Sequence, residues 1–199
     1  MIAHRIIWSL GFLAVFLAYR RIYGGDRNRP TATLDTRLSV ESFRPVYLLV
    51  FYSSAVVCVA SAWGWSALGL AAVDSPGIRD AGLFLAFTGG ALASWAKHSL
   101  GTSYSPCYAS VIPPRLIAVG PYRWVRHPLY SANLLTLAGL FFATGSGVLL
   151  AALVVVGWFY LDAARREERT LCAELPDYRA YLAVTGRFVP RFVTNVIRP

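Results

Sequence analysis

The sequence predicts an all-α integral membrane protein with about five transmembrane helices, and three observations carry that prediction. Of the 199 residues, 56% are hydrophobic and only 15% charged, where an ordinary soluble domain carries about 25% charged; mean hydropathy is +0.51. The apolar residues gather in five long stretches. The cationic residues gather between those stretches, on what a five-span path makes one side of a bilayer. Disordered and collagen-like chains are excluded by the hydrophobicity and the lack of a glycine period. Cys58, Cys107 and Cys172 are widely spaced with no CxxC pair, which argues against a metal site and against a disulfide framework.

The first stretch, Ile6 to Tyr19, is short against the roughly 20 residues a span needs, and a helix beginning near Ile2 would complete it. Arg20 and Arg21 follow it in place of a small-residue cleavage site, so it reads as a retained helix rather than a signal peptide. The second, Val46 to Val73, follows Pro45, a residue suited to a first helical turn, and holds Trp63 and Trp65 as interfacial anchors. The third, Ala81 to Ala96, contains Gly89 and Gly90, which permit close helix approach. Leu129 to Leu161 is too long for one ordinary span, and Thr144-Gly145-Ser146-Gly147 breaks it. The expectation is a helical hairpin with arms Leu129–Ala143 and Val148–Ala164.

Charge placement supports that count. The net charge is +9, and 18 of the 19 cationic residues are arginine. In a soluble protein such an excess suggests nucleic acid; here it fits basic loops on the cytoplasmic side. Segment 20–45 holds six cationic residues, segment 97–128 holds four, and the tail from 162 holds seven. Five spans put all of these on one side and leave only Arg5 and Arg79 on the other. The predicted orientation is amino terminus out and carboxyl terminus cytoplasmic, in a bacterial inner membrane. With no internal repeat or linker, the chain reads as one domain, 1–98 supplying three spans and 99–199 the cofactor-binding and catalytic half.

Two segments on the predicted cytoplasmic face combine unusual chemistry: Leu116 to Tyr130, containing Gly120-Pro121-Tyr122 and Arg126-His127-Pro128-Leu129-Tyr130, and Arg165-Arg166-Glu167-Glu168 with Tyr178, Tyr181, Arg187 and Pro190 beyond. Pro128 suits a first helical position. The helix N-terminus there offers N–H groups and partial positive charge to a carboxylate. Tyr122 and Tyr130 suit a cation or a flat ring. A carboxylate at this depth is costly unless paired, so Glu167 and Glu168 need an arginine or a cationic ligand. A zwitterionic, cation-bearing nucleotide would suit the combination. Taken singly, each feature has a plainer explanation: Arg123 and Arg126 as topogenic charges, His127 as an interfacial cap, Glu167 and Glu168 within a solvated charge run, Tyr178 and Tyr181 as tail anchors.

The ordered set GPY, RHPLY, hydrophobic hairpin, Glu167-Glu168, Tyr178 and Tyr181, then Arg187 and Pro190 resembles the isoprenylcysteine carboxyl methyltransferase family and its phospholipid N-methyltransferase relatives. The resemblance covers about Leu100 to Phe192. It implies a membrane methyltransferase using S-adenosyl-L-methionine, with a cytoplasmic carboxyl-terminal cofactor pocket lined by Leu116, Ile117, Gly120, Tyr122, His127, Pro128, Tyr130 and Glu167. Methyl transfer from a sulfonium requires no metal. An amine or hydroxyl acceptor must lose a proton, for which Glu168 or His127, beside Arg126, is the nearest candidate. Arg165, Arg166 and Asn133 are the candidates toward the substrate. Ala163 stands where eukaryotic members have an arginine that meets the substrate.

The expected function is methyl transfer to a lipophilic acceptor at the cytoplasmic membrane face, the acceptor being an isoprenylcysteine-like carboxylate or another hydrophobic molecule. Partners are then the acceptor and membrane lipids, with no nucleic acid. Phospholipid (ethanolamine) N-methylation is the alternative within that class. A non-catalytic membrane scaffold or subunit is the alternative outside it, and a membrane reductase would need a dinucleotide fingerprint that the chain lacks.

Overall fold

The computed structural model describes residues 2–24, 43–64, 75–101, 104 and 115–191. Among them lie six α-helices: α1 (Ile2–Gly24), α2 (Phe43–Ala62), α3 (Pro76–Leu100), α4 (Pro128–Thr144), α5 (Gly147–Glu174) and α6 (Tyr178–Val184). A 3-10 turn, Gly120–Arg123, precedes α4, and the described residues contain no strand beyond a single parallel bridge. Helix α5 is long and apolar enough to cross a membrane, and α2 and α4 hold shorter apolar runs, Leu48–Ala62 and Pro128–Thr144. Trp65 and the end of the second apolar stretch lie outside the described residues, as does most of the basic segment 20–45.

The hairpin breaks within the glycine-rich sequence. Helix α4 ends at Thr144, Gly145 takes a left-handed conformation at φ 65°, and its N–H donates to the Phe141 carbonyl at 2.7 Å. That left-handed cap costs glycine little, which is why the chain can reverse there. Helix α5 then runs well past the expected arm, to Glu174. Glu167 and Glu168 therefore sit inside a continuous helix, two turns before its end, and not at its terminus.

A seam of small residues fixes α3 against α4. Gly82, Ala86, Gly89 and Ala93 are buried on α3, at spacings of four and three that keep them on one face. A Cβ on Gly89 would lie 2.8 Å from the Ala132 carbonyl oxygen, and one on Gly139 would lie 2.6 Å from that of Gly82. Such backbone proximity is the usual way membrane helices gain dispersion contact where hydrophobic burial gives no drive. Helix α1 joins through Tyr19, whose hydroxyl lies 2.6 Å from Thr136 Oγ1 and donates to the Ala132 carbonyl at 3.3 Å.

Between α1, α2, α4 and α5 lies a cavity with about 480 Å³ of empty space, part of it open to the surroundings. Val15, Val50, Phe51 and Leu140 make much of its apolar lining. Tyr19, Ser54, Asn133, Thr136 and Tyr160 are its polar-bearing lining residues, with the Asn133 side-chain amide donating to the Tyr160 hydroxyl at 2.8 Å.

Candidate active site

Helical phase explains why two consecutive glutamates on α5 do different things. Adjacent residues on a helix point about 100° apart. Val156, Tyr160, Ala163 and Ala164 are buried on the α5 face that packs near Tyr130. Glu167 continues that face toward α4, and Glu168 turns toward the chain beyond α6.

Glu167 accepts a hydrogen bond from the Tyr130 hydroxyl at 2.6 Å. His127 Nδ1 approaches its other oxygen at 3.4 Å. The Glu167 side chain keeps 25% of its surface exposed, so it is the accessible carboxylate of the pair.

Glu168 is buried and surrounded by cations. Arg126 Nε donates to its Oε1 at 2.9 Å, Arg187 Nε to the same oxygen at 3.0 Å, and Arg187 Nη2 to its Oε2 at 2.6 Å. His127 Nε2 lies 3.3 Å from Oε1 without hydrogen-bond alignment. Burial alone would raise the Glu168 pKa, but the nearby His127 ring and the donors from Arg187 and Arg126 outweigh it and hold the carboxyl well below the usual range. In turn, Glu168 raises the Arg187 pKa.

This cluster also ties the chain after α6 to the start of α4. Arg126 N–H donates to the Gly186 carbonyl at 2.8 Å, and His127 N–H to that of Arg187 at 3.1 Å. Arg126 Nη1 donates to the Leu182 carbonyl at 3.3 Å and to the Thr185 carbonyl. Ser131 Oγ donates to the Phe188 carbonyl at 2.6 Å. Tyr181, buried in α6, donates its hydroxyl to the Tyr122 carbonyl and so anchors the GPY turn.

His127 is buried as the residue capping α4, with Pro128 at the first helical position. Its ring stacks on Tyr130 at 5.3 Å and 2°, and Phe188 tilts against it at 6.1 Å. Burial pushes the imidazole pKa down, but the carboxylates of Glu167 and Glu168 more than offset that, and it rises above the usual histidine value. A raised histidine pKa stabilises the fold fully below about pH 6.5, and that contribution is lost as pH rises through the folded value. We therefore expect the thermal stability difference between wild type and His127→Gln to be largest near pH 6 and to shrink by pH 9. Tm measured at both values checks this; a difference that grows with pH would contradict it.

The other expected site residues lie as follows. Tyr122 is buried in the 3-10 turn; burial first, then Tyr181 and Glu167, push its phenol pKa up. Gly120 takes φ +58°, and a Cβ there would run into the Ser99 side chain and meet Trp95 Nε1 at 3.2 Å, so it fits the turn onto α3. Leu116 and Ile117 are half-buried in irregular chain before that turn. Asn133 lines the cavity rather than the Glu167 side. Arg166 pairs with Asp162 at 2.5 Å along α5, and Arg165 is exposed, its carbonyl accepting from Arg169 Nε at 3.1 Å. Sequence reasoning gave no site role to Arg187 or Tyr160. Arg187 stood in the motif order and was legible there; Tyr160 lay inside an apolar run with nothing to mark it.

Carboxylate, imidazole and tyrosine thus gather at the N-terminus of α4, near an apolar cavity, in a helical fold whose α5 is long and apolar enough to cross a membrane. Residues 78–175 match the family model described as phospholipid methyltransferase, and the chain carries a domain of that family of membrane methyltransferases, as the GPY, RHPLY and Glu-Glu order implied. The chain is 38% identical over 77 residues to the cobalt-zinc-cadmium resistance protein CzcN of Cupriavidus metallidurans, covering 38% of this chain and 36% of that protein. It is 35% identical over 78 residues to the nickel-cobalt-cadmium resistance protein NccN of Alcaligenes xylosoxydans xylosoxydans, with the same shares. The matched segments thus span about a third of the length of these relatives.

Proposed function

We propose that this protein transfers a methyl group from S-adenosyl-L-methionine to a lipophilic acceptor at the cytoplasmic face of a bacterial inner membrane. The observation that carries the reading is Glu167, an accessible carboxylate held by Tyr130 beside His127 at the N-terminus of α4, within the family domain.

The residues present fit the cofactor by the chemistry of their groups. Glu167 supplies an anion for its ammonium, the start of α4 a positive dipole end for its carboxylate, and Tyr122 and Tyr130 ring faces for its base or sulfonium. When bound, the cofactor supplies an activated methyl group. The chain's own task is alignment. Glu168, ionised and bonded to Arg126 and Arg187, holds His127 and the post-α6 chain in place; it has no role as a base in this reading. The apolar cavity lies on the other side of Tyr130, where a hydrophobic acceptor approaches from the bilayer.

Two observations favour an ethanolamine phospholipid over a prenylcysteine carboxylate. The family description names phospholipid methylation. Ala163, at the position of the substrate arginine in eukaryotic relatives, brings no cation there for a carboxylate and is buried in the cluster with Tyr130, Val156 and Tyr160. Because relatives carry names of metal-resistance proteins, a methylated membrane lipid that alters metal tolerance is the corresponding cellular role. The test supplies radiolabelled S-adenosyl-L-methionine and phosphatidylethanolamine vesicles, then separates the lipids. The expected product is a lipid whose label stays non-volatile, as an N-methyl group on the headgroup, after base has cleaved the acyl esters. Label released by base as volatile methanol would show a methyl ester and overturn the N-methylation reading.

A further inference from the structure

Tyr160 belongs to no part of the motif order, yet it is the wall shared by the cavity and the candidate active site. It is fully buried in α5. It lines the cavity beside Asn133 and Val156. Its ring stacks on Tyr130 at 4.4 Å and 7°. Tyr130 stacks in turn on His127 and donates its 2.6 Å hydrogen bond to Glu167. A file of three near-parallel rings thus runs from the cavity to the carboxylate expected to hold the cofactor.

Building on the proposed function, we propose that Tyr160 is a positioning residue that makes cofactor affinity depend on whether an apolar chain fills the cavity. The physical reason is packing. Space beside a side chain leaves it without contact atoms there, and a hydrocarbon chain of the acceptor supplies them. The occupied cavity confines the Tyr160 ring, the stack confines Tyr130, and Tyr130 fixes Glu167. A site ordered in advance loses less freedom when the second ligand binds, so binding of the two is mutually favourable. The acceptor class this selects is a lipid with at least one flexible hydrocarbon chain, since the cavity walls are contributed mainly by Val, Leu and Phe side chains.

The experiment measures S-adenosylhomocysteine affinity calorimetrically for the full chain in phosphatidylcholine nanodiscs, with and without farnesol as an apolar-chain probe. In wild type, farnesol is expected to lower Kd by about fivefold or more, a common size for coupling between sites. Tyr160→Leu is expected to bind more weakly and to ignore farnesol, and Tyr160→Phe, which keeps the ring, to recover the response. Val50→Trp fills the cavity from α2, beside the Tyr130 and Tyr160 cluster; it should bind as tightly as farnesol-loaded wild type and gain nothing further from farnesol, and it decides the matter if Tyr160→Leu fails to fold. A wild-type Kd unmoved by farnesol, or a response retained in Val50→Trp, overturns the coupling while leaving the proposed function standing. Absence of any binding by folded wild type overturns both.

Discussion

Replacing Glu167 by alanine is expected to weaken S-adenosylhomocysteine binding by about ten- to a hundredfold, the range set by losing a hydrogen bond to a charged group, while the protein still folds. Glu167 should cost the fold less than Glu168 to lose. Its side chain is 25% exposed against 8% for Glu168, and the Tyr130 hydroxyl that donates to it can rotate. Glu167→Gln refines the prediction: the amide oxygen can still accept from Tyr130, but the negative charge is gone. If the carboxylate pairs with the ligand's ammonium, Gln and Ala weaken binding alike. If Glu167 only holds Tyr130, Gln binds like wild type. Calorimetric titration of the three proteins separates these outcomes.

Glu168→Ala is expected to act the other way, on stability first. It leaves Arg126, with 9% side-chain exposure, facing a buried void without its carboxylate. Removing one partner of a buried ion pair costs about 3–5 kcal/mol, because the remaining charge is stranded. Arg187→Ala should cost less, since its side chain is 32% exposed and Arg126 still pairs with Glu168. Acid should probe the same cluster. A carboxylate with a lowered folded pKa stabilises fully above about pH 4.5, and that stability is lost as pH falls through the folded value. The Tm gap between wild type and Glu168→Ala is therefore expected to narrow only in strong acid. A gap already closed at pH 5 would contradict the assignment of Glu168 as the organiser of the cluster.

Much of the fold was legible because the sequence punctuates it. Gly145 turns the hairpin where the glycine-rich break predicted it, and Pro128 starts α4 where the RHP motif predicted a helix N-terminus. The ends of helices were less legible. Helix α5 runs on to Glu174 because nothing in Ala163 to Glu174 breaks a helix, and the Asp162–Arg166 pair supports it. That same spacing was a readable sign that Arg166 has a partner on its own helix. The division of labour between Glu167 and Glu168 was not readable, since it depends on which way α5 is rotated against α4. That rotation is set by the contact of Tyr160, Ala163 and Ala164 with Tyr130, across a hairpin whose register no local pattern specifies. Arg187 was similar: it approaches Glu168 because the segment after α6 folds back and pairs with the backbone of Arg126 and His127.

The most direct test of the central claim is thermal unfolding of the purified wild-type protein with increasing S-adenosylhomocysteine. A ligand that binds only the folded state stabilises it by RT ln(1 + [L]/Kd), about 2.7 kcal/mol at a hundredfold excess over Kd. The expected result is a dose-dependent rise in Tm that Glu167→Ala lacks. A folded protein whose Tm stays constant across that titration would contradict the assignment of the His127, Tyr130 and Glu167 cluster as a cofactor site.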